Sequence, residues 1–116
     1  MPNAQEANCV FCKIVAGEIQ SKKLLDNELC IAINDLNPQA PTHLLVIPKE
    51  HVPDITQWQK SGLLGELFSQ ASALALKSSL NKGFRLVVNT GNEGGQTVHH
   101  LHIHVLGGRF MGWPPG

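Results

Sequence analysis

Residues 100–105 read His-Leu-His-Ile-His-Val, a strict alternation of histidine with apolar residues. Successive side chains of a β-strand point to opposite faces, so this segment predicts a strand whose apolar face packs on a core. The other face then carries three imidazoles toward a cleft or solvent. Its members are His100, His102 and His104.

This histidine face has three possible interpretations. It could be a solvated strand face that happens to be rich in histidine, although strict alternation disfavours that reading. It could be a metal site, since imidazole suits zinc and two histidines on one face can share an ion. It could also perform nucleophilic or acid–base chemistry, because histidine titrates near neutral pH.

The preceding glycine-rich loop, 91–95, favours chemistry on an anion such as phosphate, because glycine allows close backbone approach and Gln96 and Thr97 add donors. Alone, such a loop is a weak signal, since most glycine loops are simple turns.

The remaining chain predicts an α+β domain. Apolar residues recur at three- and four-residue steps over 61–80, which predicts one long helix. A short N-terminal helix is expected to follow Cys9 and to stop near Gly17. Strands are predicted over 23–26, 29–34, 43–48, 84–89 and 97–106. We expect them to form an antiparallel five-stranded meander sheet covered by the long helix.

Composition limits the possible partners and location. The chain has 116 residues and ordinary globular composition, which fits one domain. Its formal net charge of zero argues against a nucleic-acid partner or a polybasic membrane patch, and its apolar runs are too short to span a bilayer. We expect a flexible segment over 1–8 without a secretory signal, and a domain over 9–116 that includes a C-terminal tail, 107–116. Three cysteines favour a reducing compartment, so a cytoplasmic location is expected.

The spacing His100-x-His102-x-His104, followed by apolar Val105 and Leu106, resembles the histidine-triad (HIT) motif. The likeness covers residues 9–116 and is greatest to the histidine-triad nucleotide-binding (Hint) branch. Its further segments are Cys9-Val-Phe-Cys12-Lys-Ile, Asp35-Leu-Asn-Pro-Gln-Ala-Pro-Thr-His43, Val46-Ile-Pro-Lys, Val87-Val-Asn89, Gly94-Gly-Gln-Thr-Val98 and Gly107-Gly-Arg-Phe-Met-Gly-Trp-Pro-Pro-Gly116. The Trp-Pro-Pro-Gly ending separates this branch from the dinucleoside-polyphosphate hydrolases of the same superfamily.

The resemblance implies a HIT-like fold and a phosphoramidase. Proteins of this branch bind purine nucleoside monophosphates and hydrolyse phosphoramidates, the P–N linked amine or lysine derivatives of AMP and GMP. The motif implies that His102 attacks phosphorus to give a nucleotidyl-histidine intermediate, with the carbonyl of His100 holding its second N–H. By the same resemblance, His104 and Thr97 contact the phosphate or the leaving amine, and His43 orients the triad. No cofactor is expected for the chemistry itself.

The resemblance also implies a nucleotide slot. Asp35 would accept hydrogen bonds from the ribose hydroxyls, whereas the residue types alone predict plain core packing for the apolar members. Asn34 stands where many relatives have histidine, which bears on base and amine preference. The expected members are Phe11, Ile14, Ile33, Asn34, Asp35, Leu36, Leu45, Asn89, Gly95, Gln96, Thr97, Val98, His102, His104 and Trp113.

A second site is expected around Cys9-x-x-Cys12. This spacing alone could indicate redox chemistry, metal binding or chance. Two more ligands would close a zinc tetrahedron, and His51 and His100 are the candidates. In relatives that keep both cysteines, these four positions hold a structural zinc ion.

The resemblance implies a homodimer in which the tail of one subunit reaches the active site of the other, where Trp113 would help choose the leaving amine. Two other functions stay open. The chain could be a dinucleoside-polyphosphate hydrolase, or a non-catalytic nucleotide-binding adaptor that uses the same surface to bind proteins.

Overall fold

A computed structural model describes residues 7–116 of the chain. Most of the predicted flexible segment, 1–8, lies outside these described residues, so its flexibility stays a prediction. Along the chain the elements are helix α1 (Val10–Val15), strands β1 (Leu25–Asp26), β2 (Cys30–Asn34) and β3 (Thr42–Pro48), a 3-10 turn (Ile55–Gln57), helix α2 (Ser61–Lys77), and strands β4 (Phe84–Val87) and β5 (Ile103–Gly107). The predicted α+β class and the five-stranded antiparallel sheet are confirmed.

The predicted meander is wrong in its second half. The strand order is β1-β2-β3-β5-β4, so β5 lies between β3 and β4. Alternate residues of β5 are fully buried, whereas all four residues of β4 are half-buried. The backbone groups of the buried strand β5 are paired on both sides, while the more exposed β4 lies at the sheet edge. Val105 accordingly pairs with Leu44 of β3 on one side and with Leu86 of β4 on the other.

The sheet has a core on each face. Because strand side chains alternate, Ala32 of β2 and Val46 of β3 face α2, whereas Ile33 and Leu45 face α1. Helix α2 is seventeen residues long and covers its face with fully buried side chains such as Leu67. Helix α1 has only six residues, so the sheet face beneath it is only partly covered. The uncovered part of that face holds the functional groups described below.

Helix α2 ends at Lys77, three residues before the predicted end at position 80. Ser79 has a left-handed backbone (φ 68°), which stops the helix before the Asn-Lys-Gly sequence that we expected to stop it. The turn directs Leu80 into the core beside Gly107, where an added Cβ would lie 2.6 Å from the Leu80 side chain. The helix end is thus set by packing on β5.

β5 begins at Ile103, six residues later than predicted. Before it, the Leu101 N–H donates to the carbonyl of Val52 (2.7 Å) rather than to a neighbouring strand. The alternation nevertheless persists through this irregular segment, because Leu101, Ile103 and Val105 are all buried in the α2-side core. The predicted division of faces is therefore confirmed for the apolar residues. The expectation that all three imidazoles face a cleft or solvent is wrong for His100, whose ring is fully buried.

The other strand limits differ less. β1 and β4 are each two residues shorter than predicted, while β2 and β3 agree to within one residue at each end. Within the described part of the chain, no helix has the length and apolar character needed to cross a membrane.

Candidate active site and metal cluster

The pairing of β3 with β5 places histidines from both strands on the α1 side of the sheet. His104 lies opposite Leu45 in register, and antiparallel partners share a face. His43 lies two residues before Leu45 on β3 and therefore shares that face. The ring of Phe11, from α1, packs edge-on against the ring of His102, with centroids 5.1 Å apart.

The tautomer of His102 is fixed by one contact. Its Nδ1 lies 2.7 Å from the backbone carbonyl of His100. A carbonyl only accepts hydrogen bonds, so Nδ1 carries the proton and Nε2 keeps its lone pair. No described residue donates to or accepts from this Nε2. Burial lowers the pKa of His102, although the His100 carbonyl and Asp35 oppose the shift, so the ring is neutral at pH 7. A neutral imidazole with an unshared lone pair is the form that acts as a nucleophile.

A chain of hydrogen bonds orders the two neighbouring rings. The backbone N–H of Gln39 donates to Nδ1 of His43 (3.0 Å), so the proton of neutral His43 is on Nε2. That Nε2 lies 2.9 Å from Nδ1 of His104 and 3.3 Å from Oδ2 of Asp35. His43 therefore donates to His104, whose own proton is placed on Nε2.

The Nε2–H of His104 is buried and has no hydrogen-bond partner among the described residues. Burial lowers the pKa of His104 to about 4, and the nearby His102 and His43 add to this effect, so the ring is neutral. The His102 and His104 rings lie 5.0 Å apart between centroids. A buried N–H without a partner is costly, so this atom indicates a ligand that accepts a hydrogen bond beside His102.

A cavity of about 440 Å³ lies over these rings. It brings together most of the predicted slot residues, together with His43. Those residues are Phe11, Ile14, Ile33, Asn34, Asp35, Leu36, Leu45, Thr97, Val98, His102 and His104. The cavity is also lined by Val10, Asn37 and Gln39, which the sequence did not predict. Gln39 contributes through its backbone N–H, which residue type does not reveal.

Four predicted slot residues do not line this cavity. They are Asn89, Gly95, Gln96 and Trp113. The Gln96 side chain is buried in the loop, where it donates to the carbonyls of Pro53 (2.7 Å) and Val98 (3.1 Å) and accepts from the Gly91 N–H (3.0 Å). Gln96 thus anchors the glycine-rich loop and does not face the cavity.

Trp113 is 83% exposed, with the guanidinium of Arg85 6.0 Å from its ring centroid.

The second predicted site brings its four residues together. The ligand-type atoms of Cys9, Cys12, His51 and His100 all lie within 4.8 Å of one another. His100 Nδ1 is 3.3 Å from Cys9 Sγ, 3.5 Å from Cys12 Sγ and 3.1 Å from His51 Nδ1. With Zn–S near 2.3 Å and Zn–N near 2.0 Å, a tetrahedron places its ligand atoms roughly 3.3–3.8 Å apart. The cluster could therefore hold a structural metal such as zinc.

The protonation of His100 also fits a metal ligand. Its Nε2 donates to the carbonyl of Pro48 at 2.8 Å, which leaves the Nδ1 lone pair facing the cysteines. Metal-bound histidines commonly hold their second N–H on such an acceptor. Burial lowers the pKa of His100 to about 4, so the ring is in the neutral form that a ligand requires.

A second group, Asp35 with His43 and His104, has ligand-type atoms equally close together. It fits a metal poorly because Nδ1 of His43 accepts a hydrogen bond from Gln39. Coordination through Nε2 would then leave a ring with no proton on either nitrogen. The group is better suited to ordering hydrogen bonds than to holding an ion.

The comparisons with known proteins agree with this geometry. A family model described as HIT domain matches residues 16–111. An uncharacterized HIT-like protein from Synechococcus elongatus is 46% identical over 109 residues, covering 92% of this chain and 96% of that protein. A crystal structure of a HIT family hydrolase from Legionella pneumophila superposes with a TM-score of 0.90 at 46% identity, covering 94% of this chain and all of that one. A histidine triad nucleotide-binding protein from Candida albicans gives a TM-score of 0.80 at 29% identity, covering 92% and 83%.

Proposed function

Because this chain belongs to the HIT domain family, we propose that it is a hydrolase that cleaves the P–N bond of purine nucleoside 5′-phosphoramidates, as in the Hint branch. The similar structure from Legionella pneumophila is itself described as a HIT family hydrolase. The observation that carries the proposal is the contact of His102 Nδ1 with the His100 carbonyl, which leaves Nε2 as a lone pair. That lone pair, in a ring that lines the cavity, is the group expected to attack phosphorus.

The reaction proceeds in two displacements. Nε2 of His102 forms a bond to phosphorus while the bond from phosphorus to the amine nitrogen breaks. The amine gains a proton as it departs, which leaves a nucleotidyl-histidine. Water then forms a bond to phosphorus while the bond from phosphorus to Nε2 of His102 breaks. This releases the nucleoside monophosphate and restores the His102 lone pair, and a proton of the water replaces the one that the amine took. The buried N–H of His104 donates to the phosphoryl oxygen or to the departing amine, and Thr97 borders the same cavity.

The residues of the cavity wall support the proposed substrate class. One side is apolar and includes Phe11, Ile33 and Leu45, which suits the flat face of a base. Asp35 also lines the cavity, and we expect its carboxylate to accept hydrogen bonds from the ribose hydroxyls. Its Oδ1 takes the Asn37 N–H at 2.8 Å, and its carboxylate keeps further lone pairs.

We further propose that Cys9, Cys12, His51 and His100 hold a structural zinc ion. Bound zinc would tie α1 to the segment that precedes β5, and the chemistry would proceed without it. The thiols of Cys9 and Cys12 must stay reduced to bind the ion, which favours a cytoplasmic setting.

We also propose a homodimer in which the tail approaches the partner's active site. Within the described residues the edge strand β4 has one unpaired side, and Phe110 and Trp113 are exposed aromatic residues of the tail. The following test also distinguishes the two rival functions, a dinucleoside-polyphosphate hydrolase and a non-catalytic nucleotide-binding adaptor.

The test compares wild type with His102→Ala, using adenosine 5′-phosphoramidate and a tryptamine analogue. Brief incubation and intact-mass measurement should detect an AMP adduct on wild type and none on His102→Ala. His99→Ala serves as the matched control, since His99 is exposed and lies outside the cavity. Faster turnover of a dinucleoside polyphosphate would favour that hydrolase instead. Nucleotide binding without turnover by wild type would favour the adaptor.

A further inference from the structure

The C-terminal tail is fastened to the loop that precedes β3. Arg109 Nη2 donates to the backbone carbonyl of Gln39 at 3.0 Å, and its Nη1 donates to the carbonyl of Phe110. Gly108 has a φ of +92°, and a Cβ added there would lie 2.8 Å from Cβ of Pro41. The turn at 108–109 therefore lies directly on loop 37–41.

Gln39 connects this fastening to the active site. While its carbonyl accepts from Arg109, its own N–H donates to Nδ1 of His43 (3.0 Å). Its side-chain amide donates to the carbonyl of Asn37 at 3.0 Å. Pro38 and Pro41 have no N–H, so few backbone donors in this loop are available to His43.

The direction of the Gln39–His43 bond determines the next tautomers. With Nδ1 of His43 accepting, Nε2–H donates to Nδ1 of His104, whose remaining N–H is the buried one beside His102. If His43 instead carried its proton on Nδ1, its Nε2 lone pair would require a proton on Nδ1 of His104. Nε2 of His104 would then carry a lone pair in place of its proton. Its interaction with the anionic phosphoryl oxygen would be repulsive, since both atoms could only accept a hydrogen bond.

We propose that Arg109 is a positioning residue for the hydrolysis: by holding Gln39 in place it fixes the tautomers of His43 and His104, so that His104 offers an N–H to the phosphoryl group. This inference rests on the proposed function for its catalytic consequence only. The guanidinium–carbonyl bond is charge-assisted, which suits it to restraining an exposed loop. Asp35 Oδ2, 3.3 Å from Nε2 of His43, favours the same tautomer. Loss of Arg109 therefore mixes the tautomers and does not invert them.

The test measures the tautomers directly. Protein labelled with ¹⁵N in histidine is examined at pH 7 by long-range ¹H–¹⁵N correlation, which distinguishes Nδ1–H from Nε2–H rings. Wild type should show the Nε2–H form of His43 and His104. Arg109→Gln should show a mixture, and Arg109→Lys should restore part of the wild-type pattern, because lysine can donate one bond to Gln39. Arg85→Gln is the matched control, since Arg85 also donates to a tail carbonyl, that of Gly112, and leaves loop 37–41 untouched.

Kinetics then connect the tautomers to the reaction. Arg109→Gln should lower kcat on adenosine 5′-phosphoramidate by about tenfold and leave KM within about twofold, because a group that acts on the transition state is affected. Wild-type tautomers in Arg109→Gln, or mixed tautomers with an unchanged kcat, would overturn the inference. Absence of turnover by wild type would contradict the proposed function, and the tautomer measurement would still decide whether Arg109 sets these rings.

Discussion

The backbone carbonyl of His100 lies 2.7 Å from Nδ1 of His102, while the ring of His100 faces Cys9, Cys12 and His51. One residue therefore belongs to both sites: its main chain orients the proposed nucleophile and its side chain joins the metal cluster. The two sites are joined through a segment of three residues, 100–102. Any change that releases the His100 ring should loosen the carbonyl on which the His102 tautomer depends.

Removing the metal is expected to lower stability. An ion that binds only the folded protein stabilises it by about 4 kcal/mol at a concentration a thousandfold above its Kd. We predict that purified wild type contains one zinc per chain and that chelation lowers its Tm by several degrees. Cys12→Ala should contain none and should not respond to chelator. Cys30→Ala, which removes a thiol buried in the α2-side core, should keep its zinc. Equal zinc content in Cys12→Ala and wild type would contradict the assignment.

Removing the His104 ring is expected to slow turnover. Loss of one preorganised donor to developing charge typically costs about 10²–10³-fold in kcat. We predict a decrease in kcat of about a hundredfold for His104→Ala on adenosine 5′-phosphoramidate, with His99→Ala unchanged. Steady-state kinetics on both variants measure this. A His104→Ala enzyme with wild-type kcat would show that the buried N–H plays no part in the reaction.

Stability should decrease as the solution becomes mildly acidic. The pKa of His104 falls from 6.5 to about 4 on folding, chiefly through burial. Between these values the unfolded chain binds a proton that the folded chain does not, so acidification favours unfolding. The stabilising contribution is complete above pH 6.5 and is lost as the pH approaches 4. We predict that the Tm of His104→Gln falls less over this range than that of wild type.

The matched control for this pH dependence is His99→Gln, which changes an exposed histidine. Its Tm should fall as steeply as that of wild type. Loss of metal in acid is common to all three proteins and cancels in the comparison. Parallel curves for His104→Gln and wild type would refute this explanation.

The glycine-rich loop should depend on the Gln96 amide. In Gln96→Glu, a buried carboxylate would replace the group that donates to the carbonyls of Pro53 and Val98. Leaving such acceptors unpaired costs about 1–3 kcal/mol each, and a buried charge adds to this cost. We predict that the free energy of unfolding in urea falls by at least about 2 kcal/mol. Glu93→Gln, an exposed change in the same loop, should stay within about 0.5 kcal/mol of wild type. An equally stable Gln96→Glu would show that its contacts are dispensable.

The sequence allowed accurate prediction where side-chain type and local spacing decide the outcome. The alternation at 100–105 predicted which residues enter the core and which face the site, and the metal-type residues Cys9, Cys12, His51 and His100 were expected together. The strand order was not predictable in this way, because the insertion of β5 between β3 and β4 depends on long-range packing. The role of Gln39 was not predictable because it acts through its backbone N–H, and the inward orientation of Gln96 was not predictable because it depends partly on the carbonyl of Pro53, 43 residues away.

The proposed hydrolysis depends above all on covalent bonding of His102 to phosphorus. The most direct measurement is rapid quenching of wild type during turnover of adenosine 5′-phosphoramidate, followed by peptide mapping at a pH that preserves phosphorus–nitrogen bonds. We predict that the AMP group is found on the peptide that contains His102, attached to that imidazole. AMP on another residue, or undiminished turnover by His102→Ala, would contradict the account.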